Sequence, residues 1–453
     1  MRDFYGSFAQ IFPLAGRAVV PPVGIVEIRS FGRGGGAGGR GRGLFRHGGV
    51  CRRAPADETE PHGSALPQGG DSPGGQRLPE LLAAGEVLRR GGVPGTPHPD
   101  VKIGEVLLAV AALGCEDKHA LGLIAHMDTA DDASGENVQP IVWENYNGGD
   151  VTLPATGMVM KPSMFPFLTS MKGETLITSD GTTLLGADDK AGIAEILTAV
   201  ETLQQKGLPH GRLCVAFTPD EEIGEGAELF DISGFGADFA YTVDGGDAGS
   251  IEYENFNAAS ATVTIHGFSV HPGTAKDTMI NASNVAMEFH QALPITARPE
   301  TTEGRQGFYH LCQMYGDVTT AKLGYILRDH SADKLQFKKD NMLDIAEFLN
   351  GKYGEGTVEV EIKDSYRNML EKIKPHFHLV ETARKATRMA GLEPEEIPVR
   401  GGTDGAMLSW KGLPCPNLGT GGFNFHGVCE CITAERMDRC TEILLNIISL
   451  YAE

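Results

Sequence analysis

The segment AGIAEILTAVETL, at residues 191–203, decides the fold class because its apolar side chains recur with the period of an α-helix. These side chains stand at i, i+3, i+4, i+7 and i+10, and they are Ile193, Ile196, Leu197, Val200 and Leu203. A single apolar face predicts a helix that packs on a core and leaves its other face in water.

Short apolar runs flank this helix, and each is followed by polar residues. The runs are ALGLIA at 120–125, LCVAFT at 213–218 and FAYTV at 239–243. Continuous apolar runs of this length are typical of buried strands in a parallel or mixed sheet. Strand, helix and strand in this order predict an α/β domain, whose functional groups gather beyond the carboxyl ends of the strands.

The pattern changes between residues 254 and 365. Residues 261–265 (ATVTI) and 357–362 (TVEVEI) alternate apolar and polar side chains, as half-exposed strands do. Helical patterns occupy 282–293 and 341–349 between them, and two more occupy 376–390 and 436–450. We therefore predict a smaller α+β domain at 254–365, inserted into a catalytic domain made of 101–253 and 366–453.

Composition excludes several classes of function. The 453 residues include 39 basic and 60 acidic side chains, for a net charge of −21. So acidic a chain repels phosphate backbones, which argues against nucleic-acid and anionic-membrane partners. No apolar run approaches the roughly 20 residues that span a bilayer. The eight cysteines are scattered, which favours reduced thiols in the cytoplasm over a disulfide scaffold.

Residues 1–100 differ from the rest of the chain. Gly and Pro supply 33 of these 100 residues, and 12 Arg stand against nine acids with no Lys. This Gly and Pro content marks low complexity, and the Gly/Arg tract FGRGGGAGGRGRGLFRHGG at 31–49 cannot bury a core. Three interpretations stay open: a disordered basic tail, an Arg-rich transit peptide, or non-native text translated from a wrong start or a shifted frame.

Polar residues at the strand ends are the candidates for chemistry. His126 and Asp128 follow the first run, Glu221 and Glu222 follow the second, and Asp244 follows the third. A lone His or Asp at a strand end is commonly structural, and a Glu pair is commonly a solvated face or a helix start. Adjacent carboxylates at the end of a buried strand are nevertheless costly unless a cation or a proton separates them.

Two further candidates lie outside these strand ends. Asp188 and Asp189 open the helix, and the alternative function of both is an N-cap. His426 lies in the Gly-rich loop GTGGFNFHG. Two His and three or more carboxylates at one sheet edge suit a two-metal site, with zinc, cobalt or manganese as the ion.

Long segments of the chain resemble a di-zinc hydrolase family that includes tripeptide aminopeptidases, aminoacylases and glutamate carboxypeptidases. The resemblance runs from about residue 104 to the C-terminus. It rests on HMDTADDASGENVQPIVWENYNGGDV, LITSDGTTLLGADDKAGIAEI, VAFTPDEEIGEGA, YTVDGG, NFNAASATVTIHGFSVHPGTAK, VRGGTDGAMLS and PCPNLGTGGFNFHG. It implies an α/β, mixed-sheet catalytic domain with an inserted α+β domain that acts as a lid or in dimerisation.

The resemblance also implies roles for the polar residues. His126 and Asp244 would bind one zinc, Glu222 and His426 would bind the other, and Asp188 would bridge the two. Ligand types of this kind also accept cobalt or manganese.

Two acidic residues beside these ligands would not bind metal. Asp128 would orient His126, and Glu221 would be the general base that passes a proton from water to the leaving amine.

Three positions match substrate-binding motifs of the family. His271 would hydrogen-bond the oxyanion, from this chain or a partner subunit, and its alternative is an ordinary loop histidine. Arg400 and Arg328 would bind a peptide carboxylate through paired hydrogen bonds. Arg328 could equally form a surface ion pair with Asp329.

The implied activity is removal of the N-terminal residue from tripeptides, with short peptides as partners and a homodimer formed through the inserted domain. The alternatives are a dipeptidase, an N-acyl-amino-acid deacylase, or a metal-binding but inactive relative with an aberrant N-terminus.

The chain departs from the family pattern in two places. Cys429 and Cys431 follow His426 and permit a Cys/His zinc site, although the carboxylates already account for His426. Only residues 78–93 and 101–112 faintly match the first helix and strand of the family.

Overall fold

The helix predicted at 191–203 forms part of a longer helix, Ala187–Lys206, in the computed structural model. The structure describes residues 27–29 and 106–453, which belong to one compact unit. Apart from residues 27–29, the segment 1–100 lies outside the described residues, and so does the helix expected at 78–93. Strand Val106–Val110 lies within the segment 101–112, where a strand was expected.

Seventeen strands are assigned among the described residues. They are β1 Glu27–Arg29, β2 Val106–Val110, β3 Leu121–His126, β4 Pro140–Trp143, β5 Val151–Thr152, β6 Val159–Met160, β7 Leu176–Ser179, β8 Leu213–Thr218, β9 Phe239–Gly245, β10 Ser250–Glu252, β11 Asn257–His266, β12 Phe308–Gly316, β13 Thr320–Asp329, β14 Val358–Asp364, β15 Glu395–Glu396, β16 Asn417–Gly419 and β17 Cys431–Thr433.

The same residues form eight α-helices and several 3₁₀ turns. The helices are α1 Ala187–Lys206, α2 Ile232–Phe235, α3 Ala282–Ala292, α4 Ala332–Tyr353, α5 Leu370–Ile373, α6 His378–Met389, α7 Asp404–Lys411 and α8 Ala434–Ala452. The 3₁₀ turns are Pro166–Thr169, Pro272–Thr274, Pro299–Thr301 and Lys374–His376.

The largest sheet of the described residues has the order β1-β2-β8-β3-β9-β16-β10-β15. Strand β3 runs parallel to both β8 and β9, whereas β2 runs antiparallel to β8, so the sheet is mixed. The three predicted strands β3, β8 and β9 are confirmed and lie side by side. Their carboxyl ends therefore meet at one edge, where a functional site is expected.

Helices cover both faces of this sheet. On one face α1, α6 and α8 bury a common core that includes Ile196, Leu379 and Ile447. On the other face Phe230 and Phe235 pack with Leu408 of α7. None of the described helices is both long and apolar enough to cross a membrane.

A second sheet lies within the predicted insertion, with the antiparallel order β12-β13-β11-β14. Helices α3 and α4 pack on it through Phe289 and Met342. Sequence reasoning found β11 and β14 but missed β12 and β13. Strand β12 is exposed on both faces after Leu311 and so carries no alternation, whereas β13 does alternate and was overlooked.

Residues between β3 and α1, together with β17, form a third, unpredicted layer. Strands β17, β7 and β4 make a three-stranded sheet, and β5 pairs with β6. This layer has its own apolar cluster, which includes Leu153, Met160 and Leu168 and reaches Cys431. It therefore packs beside the loop that carries His426.

Candidate metal centre

Parallel strands bring four of the predicted residues to one edge. His126 is the last residue of β3 and pairs in register with Thr218, the last residue of β8. The chain turns at Asp220, whose φ of 61° is left-handed, and Glu221 and Glu222 follow. Asp244 lies near the end of β9, the other neighbour of β3.

The first group of ligands is built on His126, which is 2% exposed. Its Nε2 lies 2.8 Å from Asp188 Oδ1 and 3.3 Å from Asp244 Oδ1. Burial lowers the pKa of His126, but Asp244, Asp128 and Asp188 outweigh burial and raise it well above its usual value. For the acid Asp244 burial acts in the opposite direction: it raises the pKa to about 7, although His126 opposes this shift.

The second group is built on His426 and is open to solvent. The His426 Nε2 lies 3.2 Å from Glu222 Oε2 and 3.3 Å from Asp188 Oδ2, and its side chain is 47% exposed. The hydrogen bond to Asp188, with the charge of Glu222, raises the pKa of His426 to about 9. The first group is therefore buried, and the second is open to solvent at His426.

Asp188 belongs to both groups, one carboxylate oxygen to each. Within each group the donor atoms lie no more than 4.8 Å apart. Glu222 Oε1 is buried and has no hydrogen-bond partner among the described residues. Imidazole and carboxylate donors in this number fit two divalent cations, and Asp188 would contribute to the binding of both. Burial raises the pKa of Asp188, but hydrogen bonds from His126 and His426 lower it overall.

Asp128 connects the two strand ends. Its Oδ1 lies 3.3 Å from Nδ1 of His126. Its two carboxylate oxygens also accept hydrogen bonds from the backbone N–H of Glu221 at 3.2 Å and of Glu222 at 3.1 Å. Asp128 therefore holds the backbone of the Glu pair and lies against the His126 ring.

Glu221 stands beside the ligands but belongs to neither group. Burial, followed by the charge of Asp244, raises the pKa of Glu221 to about 9. A carboxylate with a raised pKa next to a cation site is suited to accept and return a proton.

Comparison with known proteins places this chain in a family. A model of the peptidase family M20/M25/M40 matches residues 180–450. The chain is 53% identical to a peptidase T of Alkaliphilus oremlandii over 335 residues, which are 74% of this chain and 82% of that one. It is 54% identical to a peptidase T of Clostridium perfringens over 358 residues, 78% of this chain and 88% of that one.

The chain belongs to the peptidase family M20/M25/M40. Solved structures show the same fold. A tripeptidase from Staphylococcus aureus has a TM-score of 0.66 at 24% identity, over 82% of this chain and 92% of that one. The aminopeptidase PepT from Bacillus cereus has a TM-score of 0.64 at 22% identity, over 84% and 93%. The fold class expected from the sequence is confirmed.

The three predicted substrate residues of this M20 peptidase lie outside both ligand groups. His271 is exposed and caps the turn Pro272–Thr274, where its Nδ1 accepts a hydrogen bond from Gly273 N–H at 3.1 Å. Arg328 donates to the carbonyl oxygens of Ala259 and Leu327, and its guanidinium lies over Tyr366, 5.1 Å from the ring centroid.

The suggested ion pair between Arg328 and Asp329 is wrong. Asp329 bonds instead to Lys338 of α4 at 2.7 Å, in a buried pair. Adjacent strand residues point to opposite faces of a sheet, so Arg328 and Asp329 cannot meet.

The alternative that Asp188 and Asp189 are N-caps is wrong for Asp188 and correct for Asp189. Gly186, not Asp188, caps α1, and Asp188 has non-helical φ and ψ. Asp189 does cap the first turn, because its Oδ1 accepts from Gly192 N–H at 3.3 Å. Its Oδ2 also accepts from the backbone N–H of His126 at 3.0 Å, a role that the sequence did not indicate.

The Cys pair belongs to neither ligand group. Cys431 is buried, and Cys429 contacts the sulfur of Met158 at 3.4 Å.

Sequence reasoning missed Glu430 as a support of the centre. Its Oε2 accepts from the N–H groups of Leu185 at 2.7 Å and Gly186 at 2.8 Å, and its Oε1 accepts from Asp188 N–H at 3.0 Å. Glu430 therefore holds the backbone of Asp188, the candidate ligand that both groups share. A Glu four residues after a ligand His was the available signal.

Asp404 was also missed. It is 3% exposed, and its charge contributes to the raised pKa of Glu221. Burial raises the pKa of Asp404 itself to about 6.

Proposed function

We propose that this M20 peptidase is a tripeptide aminopeptidase that binds two zinc ions, with cobalt or manganese as substitutes. The observation that carries the proposal is Asp188, which is shared by two ligand groups beside a non-ligand Glu221. The relatives that are 53% and 54% identical are both named peptidase T, which supports tripeptides as the substrate.

His126, Asp188 and Asp244 would hold one ion, and Asp188, Glu222 and His426 the other. Two such ions, when bound, lower the pKa of a water and polarise the scissile carbonyl. Glu221 accepts a proton from that water and donates it to the leaving amine. Asp128 keeps the His126 ring and the Glu221–Glu222 backbone in register during this transfer.

We also propose a role for the predicted inserted domain at 254–365, as a lid and as the surface of a homodimer. Strand β12 is the outer strand of its sheet and exposes Met314 and Tyr315. An edge strand of this kind favours pairing with a second chain. Free thiols at the described cysteines support a cytoplasmic location.

The test is hydrolysis of a free tripeptide by the purified chain, before and after chelation and zinc or cobalt add-back. We expect activity that disappears with the chelator, returns with metal, and is absent in Glu221→Gln. Dipeptides and N-acetyl amino acids serve as competing substrates. A preference for acetylated substrates would contradict the aminopeptidase, because a free α-amino group would then be unnecessary.

A further inference from the structure

The loop that follows β8 carries Glu221 and folds back on itself. The backbone N–H of Gly224 donates to the carbonyl oxygen of Glu221 at 2.7 Å, and that of Glu225 donates to the carbonyl oxygen of Asp220 at 2.9 Å. The peptide units on either side of Glu221 are therefore tied to the returning half of the loop, residues 224–228. The contacts that hold this half also set the direction of the Glu221 side chain.

Asp404, the first residue of α7, lies directly against the returning half of the loop. A Cβ built on Gly226 would lie 2.5 Å from Asp404 Oδ2 and 2.6 Å from Oδ1, so the backbone passes over the carboxylate with room only for a glycine. Burial raises the pKa of Asp404 to about 6, and a hydrogen bond from the backbone N–H of Ala227 opposes that shift. A buried carboxylate thus accepts from the main chain of the loop that carries Glu221.

The last residue of α7 holds the same segment from the other side. Lys411 Nζ donates to the carbonyl oxygens of Ala227 and Glu228. Both backbone groups of Ala227, its N–H and its carbonyl oxygen, are therefore bound by side chains of one short helix. Asp404 supplies the acceptor and Lys411 the donor, at opposite ends of that helix.

Helix α7 is itself fixed to the main sheet. Thr403 caps it, since its hydroxyl oxygen accepts from the backbone N–H of Ala406 at 3.1 Å. A Cβ built on Gly405 would lie 2.6 Å from the carbonyl oxygen of Cys415 and 2.9 Å from Thr242 Oγ1. The first turn of α7 therefore packs directly on β9.

The loop before α7 is fixed as well. Arg400 Nη1 donates to the carbonyl oxygens of Gly304 at 2.8 Å and Gln306 at 2.9 Å, and its Nη2 donates to Thr302 Oγ1 at 2.9 Å. Asp404 is thus held on both sides along the chain, and it gives firm support to the loop that it contacts.

We propose that Asp404 is a positioning residue for Glu221, because it binds the N–H of Ala227 and so fixes the far side of the loop on which Glu221 stands. Asp404 belongs to neither ligand group, so it acts through the backbone of this loop and not on the metal ions. This inference rests on the proposed peptidase function, in which Glu221 transfers the proton.

The test measures kcat and KM for a tripeptide at saturating zinc in the wild type, Asp404→Ala, Asp404→Asn, Gly226→Ala and the exposed control Gly351→Ala. We expect Asp404→Ala to lower kcat about tenfold with KM unchanged, the effect of losing one hydrogen bond to a charged group. Gly226→Ala should do the same, because its methyl group would push the loop off the carboxylate. Asp404→Asn, which keeps an acceptor oxygen, and Gly351→Ala should resemble the wild type.

Metal content and hydrogen exchange distinguish positioning from a loss of structure. Every variant should retain the zinc content of the wild type. Amide exchange of residues 223–228, followed by mass spectrometry, should become about tenfold faster in Asp404→Ala and in Gly226→Ala, while exchange of β3 stays unchanged. These two measurements need no turnover.

Equal losses of kcat in Asp404→Asn and Asp404→Ala would overturn the inference, because the charge of Asp404 would then matter and not its hydrogen bond. Unchanged exchange at residues 223–228, or loss of zinc in Asp404→Ala, would overturn it too. Failure of the wild type to cleave any tripeptide would instead overturn the peptidase proposal.

Discussion

At the scale of single residues, the shared carboxylate of Asp188 has the largest consequences. Its two oxygens face two different histidines, at 2.8 Å from His126 and 3.3 Å from His426. Glu222, in contrast, belongs to the second group alone. Removing the negative charge of one or the other should therefore have unequal effects on metal binding.

We expect Asp188→Asn to lose both ions and Glu222→Gln to lose one, because only Asp188 serves both groups. Metal content per chain after dialysis, measured by mass spectrometry, checks this. The exposed Asp150→Asn is the matched control and should retain the wild-type content. Two ions retained by Asp188→Asn would contradict the bridging role.

At the scale of secondary-structure elements, three strands share one hydrogen-bonded chain behind the metal centre. Glu252 of β10 accepts from Asn417 Nδ2 of β16 at 2.7 Å. Asn417 Oδ1 in turn accepts from the backbone N–H of Asp244 in β9 at 3.1 Å. The position of one ligand therefore depends on a buried carboxyl group on another strand.

This carboxyl group makes stability depend on pH. Burial raises the pKa of Glu252 from 4.5 to about 7. The folded state thus holds a proton more tightly than the unfolded state. The resulting stabilisation is complete below pH 4.5 and is lost as the pH rises through 7.

We expect Glu252→Gln, whose side chain stays neutral, to keep its folding stability as the pH rises through 7. We compare the free energy of unfolding of the variant with that of the wild type at each pH. The difference in favour of the variant should be larger at pH 8.5 than at pH 4.5, by on the order of 2–3 kcal/mol. Denaturant unfolding at both pH values measures it. Parallel pH profiles for the two proteins would show that Glu252 does not titrate with folding.

Helix α1 must approach β9 closely for its first turn to present Asp188. A Cβ built on Gly192 would overlap the carbonyl oxygen of Val243, so only glycine fits there. Gly351, in the exposed part of α4, has no atom within 4 Å of such a Cβ. The two helical glycines form a matched pair.

We expect Gly192→Ala to lower the free energy of unfolding by about 2–3 kcal/mol through overpacking. Gly351→Ala should raise it by about 0.5–1 kcal/mol, since alanine reduces the backbone entropy of the unfolded chain. Thermal and denaturant unfolding measure both changes. A neutral Gly192→Ala would contradict the close approach of α1 to β9.

At the scale of the whole molecule, the proposed homodimer involves β12, which is an outer strand of the four-stranded sheet. Met314 is 46% exposed and Tyr315 is 61% exposed on this strand. In the proposed homodimer the β12 strands of two chains pair with each other. Charged side chains introduced at these positions would prevent that pairing.

We expect the double variant Met314→Lys, Tyr315→Lys to be a monomer of about 48.3 kDa by light scattering, while the wild type has twice that mass. Met389→Lys, at an exposed position of α6, is the control and should stay dimeric. A wild type of monomeric mass at micromolar concentration would refute the dimer.

Elements with a local side-chain period were predictable from the amino-acid sequence. The 3.6-residue period at 191–203 predicted α1, and the apolar runs predicted β3, β8 and β9, because backbone geometry repeats side-chain direction along a strand or helix. The sequence also supplied the candidate donors of the proposed metal centre, whose separate roles came from the family resemblance. His126, Asp188, Glu222, Asp244 and His426 were all named from strand ends, one helix start and one loop.

The contacts between residues far apart in the chain could not be predicted from the sequence and became visible in the folded structure. Glu430 holds the N–H of Asp188 across 242 residues of chain, and Asn417 supports Asp244 across 173. Residues 302–306 accept from Arg400 across almost a hundred. No local period encodes such pairs, because they depend on how sheets and loops pack after the elements have formed.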